Sequence, residues 1–350
     1  MNSIRTALLA YGMSGQVFHA PFLDLHPGYD LHWVWQRTRS DAKDRYPRLK
    51  IARQLEEILD DPTVELVIVN TPEPTHFELV SKALEAGKHV VVEKAFTPTV
   101  SQARQLLELA HSKHRHLTVY HNRRWDSDFL TISELLRQGL LGQILEYEAT
   151  YYRFRPEPNF SSWKEHAEPG ISILYNLGSH LIDQALQLFG WPDWVFADLR
   201  KQREASDVTD QFDLMLIYPD KKALLRAGYL VAQAHPRYRI RGRAGSFVKH
   251  GLDPQEAQLK KGESPLGENW GKERAEDWGH LYYQKDGLSF DGKLPSLPGN
   301  YGAFYDQLYI ALREDGPLPV SAASAQDVIA LIEAAQQSHE ERRLISTRRD

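Results

Sequence analysis

Short apolar runs that alternate with helical segments constrain this chain more than any other feature. Residues 4–10, 64–69, 89–92 and 116–120 read as buried strands, and helical patterns occupy 17–25, 77–86 and 101–111 between them. Alternation at that spacing predicts a parallel, doubly wound α/β sheet. The ligand crevice of such a sheet lies outside the carboxyl ends of its strands, so the residues just past each run carry most of the functional information.

Past the first run stands Tyr11-Gly12-Met13-Ser14-Gly15, followed by a helix. The dinucleotide fingerprint G-x-G-x-x-G is present here as Ala10-x-Gly12-x-x-Gly15, one glycine short. Gly12 and Gly15 would allow close approach of a pyrophosphate and tight helix packing, with partial positive charge from the helix amino end. An ordinary glycine turn is the alternative. The second strand, 30–35, ends in Gln36-Arg37-Thr38-Arg39, where an NAD enzyme usually carries a carboxylate for the ribose diol. Guanidinium forks and a hydroxyl suit a 2′-phosphate instead, which favours NADP over NAD. The third strand ends in Asn70-Thr71-Pro72-Glu73-Pro74-Thr75-His76, small polar groups facing the same crevice; His76 either reaches a cofactor or caps the next helix. After His89-Val-Val-Val come Glu93 and Lys94, a carboxylate and an amine beside a bound ligand, or a salt bridge that closes a strand.

The pattern changes after residue 121. A helix over 129–137 leads to strands at 144–154, 195–202, 211–218, 223–230 and 238–241, which indicate a largely antiparallel sheet. Residues 262–297, rich in Gly, Pro and charge, read as a long surface excursion, and helices over 301–313 and 325–339 finish the chain. Two domains are therefore expected, 1–121 and 122–350. In the second, a helix over 174–190 carries Asn176, His180 and Asp183 at spacings of four and three, hence on one face. That face is either a solvated stripe or a site, and Gly178 and Ser179 leave room beside it for a close approach.

Composition works mainly by exclusion. Cysteine is absent, which removes disulfides, thiolate metal sites and a cysteine nucleophile. His111, His114 and His116 straddle a helix-to-strand turn and read as surface, so no metal is expected. The net charge of −5 with scattered Lys and Arg gives no footprint for nucleic acid. With no membrane-length apolar run and no signal-peptide core at the start, the expectation is a soluble cytoplasmic protein.

The ordered set Tyr11-Gly-Met-Ser-Gly-Gln-Val-Phe-His-Ala-Pro21, Thr71-Pro-x-x-Thr-His76, Gly87-Lys-His-Val-Val-Val-Glu-Lys94, His121-Asn-Arg-Arg-Trp-Asp126 and Gly178-Ser-His-Leu-Ile-Asp183 resembles the glucose-fructose oxidoreductase and inositol dehydrogenase family, Gfo/Idh/MocA. The runs at 121–131, 153–156 and 248–256 are most similar to its NADP-dependent scyllo-inositol dehydrogenase branch. The resemblance implies an N-terminal Rossmann domain and a C-terminal α/β domain whose open antiparallel sheet pairs subunits into a homodimer or dimer of dimers. It implies hydride transfer between a nicotinamide and a cyclic polyol or sugar, with Lys94 and His180 meeting over the ring. Gly12, Met13, Ser14, Gly15, Arg37, Thr38, Thr71, Pro72, His76, Glu93 and Asn122 would lie on the cofactor side, and Arg153 and Trp163 would contact substrate.

Two positions depart from the family pattern. Glu-Lys-Pro is Glu93-Lys94-Ala95 here; a cis bond is strongly disfavoured without proline, so a trans bond or a local shift is expected. Four residues before the histidine the family usually carries aspartate, and this chain has Asn176. In the implied chemistry an imidazole, ordinarily titrating at about 6.5, accepts the hydroxyl proton while the Lys94 ammonium stabilises developing alkoxide. Asn176 can hold the His180 tautomer but adds no negative charge, which predicts a weaker base, with an alkaline-shifted optimum or a preference for carbonyl reduction. A cofactor-bound sensor without turnover is the alternative reading, and glycoside cleavage by transient oxidation with retained NAD is a third.

Overall fold

The computed structural model describes residues 3–285 and 287–349. By internal contacts these fall into two units: residues 3–122 with Gln255–Trp270 and Tyr301–Gln326, and Arg123–Pro254 with Gly271–Asn300 and 327–349.

In the first unit β1 (Ile4–Leu8) leads through a π-helical turn, Gly15–His19, into α1 (Ala20–Leu25). There follow β2 (Tyr29–Trp35), α2 (Ala42–Arg45), β3 (Lys50–Ala52), α3 (Glu56–Leu59), β4 (Leu66–Val69), α4 (His76–Glu85), β5 (His89–Val92), α5 (Val100–Ser112) and β6 (Leu117–Val119). All six strands pair in parallel in the order β3-β2-β1-β4-β5-β6. Every residue of β4 is buried, which is why its sequence, Leu-Val-Ile-Val, does not alternate. The strand order reverses between β1 and β4, and a doubly wound sheet opens its crevice at that point.

The second unit takes up α6 (Ser127–Arg137), β7 (Ile144–Tyr152), a second π-helical turn at Leu174–Gly178 running into α7 (Ser179–Phe189), then β8 (Trp194–Arg200), β9 (Gln211–Ile217), β10 (Lys222–Gly228), β11 (Tyr238–Gly242) and β12 (Gly245–Lys249). The chain returns to the first unit for α8 (Gln255–Lys260), to the second for β13 (Gly279–Lys285) and β14 (Leu288–Leu294), and to the first again for α9 (Gly302–Arg313). After α10 (Ala322–Glu341) it ends in β15 (Ile345–Ser346). The nine-stranded sheet has the order β14-β13-β12-β11-β7-β10-β9-β8-β15. Only β7 and β10 run parallel; the other neighbours are antiparallel.

Two expectations are overturned. The supposed surface excursion over 262–297 contains β13 and β14, a hairpin that extends the large sheet. Its inner positions are few: Leu281 is buried opposite Phe247, and a Cβ on Gly279 would fall 2.1 Å from the Phe247 ring. Exposed His280 and Tyr282 and the surrounding glycines gave the stretch a loop-like composition. The second correction concerns the bond between Lys94 and Ala95, which is cis and not trans. Ala95 is held on both sides, its N–H donating to Glu73 Oε1 (3.2 Å) and its carbonyl facing His76 Nδ1 (2.9 Å).

Helix α9 completes the core of the first unit. Phe304, Tyr305 and Leu308 are buried there; the Tyr305 ring stacks on Phe22 at 5.4 Å, and Tyr120 meets Phe304 edge-on at 4.8 Å.

Candidate active site

One edge of the parallel sheet gathers most of the sequence-predicted residues, because parallel strands deliver all their carboxyl ends to the same side. Gly12, Met13, Ser14 and Gly15 follow β1, Arg37 and Thr38 follow β2, Thr71 and Pro72 follow β4, Glu93 and Lys94 follow β5, and Asn122 follows β6. The two glycines of the turn do different work. A Cβ on Gly12 would meet nothing within 4 Å, whereas one on Gly15 would lie 2.4 Å from the Ala10 carbonyl oxygen and 3.0 Å from Asn70 Nδ2. Gly15 thus permits the helix to pack against the strand end, and Gly12 leaves backbone open to an approaching group. Met13 is more than half exposed beside it.

Asn70, expected only as one of the small polar groups facing the crevice, ties this turn to the next strand. Its amide accepts from Ala10 N–H (3.0 Å) and donates to Ala10 O (2.9 Å), reproducing a strand pairing with a side chain. A buried asparagine just after an all-apolar strand was the available signal. His76 is fully buried, with Nδ1 2.9 Å from Ala95 O and Nε2 3.0 Å from Thr71 O. Both ring nitrogens are occupied by backbone, so its place is beneath the loops that carry Thr71 and Lys94. Beyond β2, Arg37 and Thr38 are exposed, and among the described residues Arg37 has no ion-pair partner. Arg39 lies 3.7 Å from Asp41, and the loop is braced by Arg53, whose guanidinium donates to Gln36 O and Ser40 Oγ.

Glu93 accepts from Ser14 Oγ (2.5 Å), from His19 Nε2 (3.1 Å) and from the Lys94 N–H (3.2 Å). Burial alone would raise its pKa, but the hydrogen bond and charge of His19, the Ser14 hydroxyl and the Lys94 charge hold it at about 2. An anion is therefore fixed beside Lys94 across the working pH range.

In the second unit the π-helical turn carries Asn176, and α7 carries His180, which is buried, and Asp183. Asp183 takes a bidentate clamp from Arg124, at 2.9 and 2.6 Å. Asn176 Oδ1 accepts from Lys164 Nζ at 3.1 Å, and that ammonium also lies over the Trp163 ring at 5.3 Å. Lys164, in a loop of no periodicity, was invisible to sequence reasoning. The His180 ring sits 6.5 Å from Tyr151. Behind Tyr151 the buried Arg237 guanidinium is sandwiched between Tyr151 (3.7 Å) and Tyr238 (4.3 Å) and donates to Thr150 O and Gln184 Oε1. Arg153 follows β7, its N–H donating to Gly228 O. Gly178 was expected to leave room for an approaching group; what approaches are Leu174, at 2.9 Å from a built Cβ, and Phe212 of β9, at 3.3 Å, so this glycine serves packing. Among the described residues no group of three or more His, Asp or Glu is arranged to hold a metal ion, and no helix is long and apolar enough to cross a membrane.

Residues 4–121 match the oxidoreductase family's NAD-binding Rossmann fold, and residues 133–347 match its C-terminal alpha/beta domain. The chain belongs to the Gfo/Idh/MocA family. Its Gfo/Idh/MocA relatives include the scyllo-inositol 2-dehydrogenase (NADP(+)) IolW of Bacillus subtilis, 40% identical over 99% of this chain and 96% of that protein. Among solved structures, the Bacillus subtilis oxidoreductase yvaA superposes with a TM-score of 0.95 at 39% identity, covering 99% of both chains. A Bacteroides fragilis oxidoreductase gives 0.91 at 45% identity, covering 99% of this chain and 100% of that one. The turn geometry fits a nicotinamide dinucleotide: open backbone at Gly12, which follows β1 at the switch point, and an exposed Arg37 past the neighbouring β2.

Proposed function

We propose that the chain is an NADP-preferring dehydrogenase or reductase that interconverts a secondary alcohol and a ketone on a cyclic polyol or sugar. The bound nicotinamide supplies the hydride acceptor or donor. In this reading Gly12, Met13, Ser14 and Gly15 receive the pyrophosphate, and Arg37 with Thr38 receives the 2′-phosphate. Thr71, Pro72, Glu93 and Asn122 line the nicotinamide side, while His76 positions the loops from below. His180 accepts the hydroxyl proton, and the Lys94 ammonium donates a hydrogen bond to the same oxygen as it gains negative charge. Asn176 and Lys164 hold the neighbouring hydroxyls, with Arg153 and Trp163 at the outer side of the substrate.

The observation that carries this reading is Lys94 at the end of β5, next to a carboxylate that stays ionised and on the same strand edge as the glycine turn. The NADP preference draws support from unpaired Arg37 and from the cofactor in the name of the Bacillus relative. A second copy of the chain is proposed to cover the outer face of the large sheet, where Phe196 and Tyr282 stand exposed.

The test is a panel of inositols, monosaccharides and their keto forms, each assayed with NADP and NAD by nicotinamide absorbance. Turnover of at least one cyclic polyol, faster with NADP, is expected, with Lys94→Ala and His180→Ala each lowering kcat by about 100-fold or more. Cofactor binding without turnover across the panel would instead support the sensor reading, which Asn176 favours by leaving the imidazole without an anionic neighbour at that position.

A further inference from the structure

The motif Val17-Phe18-His19-Ala20-Pro21 is left unexplained by the pyrophosphate turn, yet His19 is the most completely engaged side chain behind the site. It is 0% exposed and its ring lies 4.6 Å from that of Tyr120, tilted by 49°. Nε2 lies 3.1 Å from Glu93 Oε1, and Nδ1 lies 2.8 Å from Tyr305 Oη. Ser14 Oγ reaches the same Glu93 oxygen. In an α-helix, positions five apart are rotated by about 140° and cannot serve one acceptor. The π-helical turn removes this obstacle: Ala20 N–H bonds to Gly15 O, an i to i+5 link, and brings Ser14 and His19 to one side.

The proton count behind the ring is closed in either charge state. A carboxylate only accepts, so Nε2 must donate to Glu93. When the ring is neutral, Tyr305 donates its proton to Nδ1. When the ring is cationic, Nδ1 donates to Tyr305, whose proton turns to Phe18 O, 2.9 Å away. That carbonyl already receives Tyr120 Oη at 3.0 Å, so it is satisfied in both arrangements. The Tyr305 hydroxyl can therefore serve Nδ1 as donor or as acceptor while Nε2 keeps its bond to Glu93.

We propose that His19 is a positioning residue for the reaction, locking the Glu93 carboxylate between the glycine turn and Lys94. The groups facing Glu93 are Ser14 and His19 from the turn, Lys94 on its own loop, Tyr305 of α9, and Glu73, which acts one residue further on through Ala95 N–H. No other described cation is hydrogen-bonded to the carboxylate, so loss of the imidazole leaves burial opposed only by the Ser14 hydroxyl and Lys94. The inference rests on the nicotinamide reading of the site for its functional consequence, but not for its physical core.

The test uses the full chain with His19→Leu, His19→Gln and Tyr305→Phe. With 13C-carboxyl-labelled glutamate, the resonance missing from Glu93→Gln should stay ionised down to about pH 4 in the wild type and titrate about two units higher in His19→Leu. His19→Gln, which keeps an N–H donor, should restore most of the wild-type behaviour, and Tyr305→Phe should move the resonance upward by less. NADPH affinity should be flat with pH in the wild type and fall by about tenfold per unit below the new midpoint in His19→Leu. A Glu93 resonance that titrates alike in wild type and His19→Leu, or a His19→Gln protein as altered as His19→Leu, overturns the proposal. If His19→Leu does not fold, an unmoved resonance in Tyr305→Phe overturns it. A wild type that binds neither NADPH nor NADH defeats the functional reading alone, since the carboxyl titration still decides the role of His19.

Discussion

At the scale of single residues, Asn176 is the position where sequence and structure jointly sharpen a prediction. Its oxygen accepts from Lys164, so an aspartate there would share its charge between an ammonium and the imidazole four residues on. Asn176→Asp should accelerate alcohol oxidation and raise the acid limb of kcat/KM by less than about one pKa unit, so the native asparagine places that limb lower, the reverse of the alkaline shift expected from the sequence. Asn176→Asp with Lys164→Met should move that limb further, because the competing cation is gone. Equal rates for Asn176→Asp and wild type at every pH would show that the missing carboxylate does not limit His180. Both oxygens of Asp183, three residues beyond the histidine, accept from Arg124. Sequence periodicity had put Asn176, His180 and Asp183 on one face, but it carried no information about which distant side chain each one meets.

Elements explain the different demands on the two glycines of the turn. Gly12→Ala should leave the melting temperature unchanged and weaken dinucleotide binding, since the new methyl enters open space. Gly15→Ala drives a methyl toward the Ala10 carbonyl and should cost about 1–3 kcal/mol of stability, read by denaturant unfolding. Equal losses of stability would mean that the turn is merely a tight connection. The strands β1, β4 and β5 were legible because both faces are covered and most of their residues are buried and apolar, β4 throughout. The hairpin of β13 and β14 was not, because β13 buries two of its seven residues and β14, at the end of the sheet, buries none. Nor do one-letter patterns distinguish a π-helical turn from an α-helical one, although both of these turns fall where the chain places its candidate site residues.

For the molecule as a whole, the first unit is assembled from three separate stretches of sequence. Tyr301, Phe304, Tyr305 and Leu308 are at most 1% exposed there, so a fragment ending at Asn122 would bare a large apolar surface. Such a fragment should show broad, non-cooperative thermal unfolding, whereas a circularly permuted chain that joins the α9 segment to it should melt sharply. A sharp transition in the fragment alone would make α9 an accessory. The alternation of strands and helices up to residue 121 announced a Rossmann sheet, but nothing in the local pattern of 301–313 announced which sheet that helix would cover; its apolar face only required some partner.

That threading also bears on how the chain is made. Ribosomes release residues in order, at about 5–20 per second, so roughly 180 further residues and some ten to forty seconds separate the emergence of Asn122 from that of Tyr301. Throughout that interval the nascent amino-terminal sheet waits with Phe22 and Tyr120 uncovered, and the hydroxyl that backs His19 has not yet been synthesised. The amino-terminal sheet is thus completed only after the α9 segment has emerged, and a polypeptide interrupted before it lacks that cover.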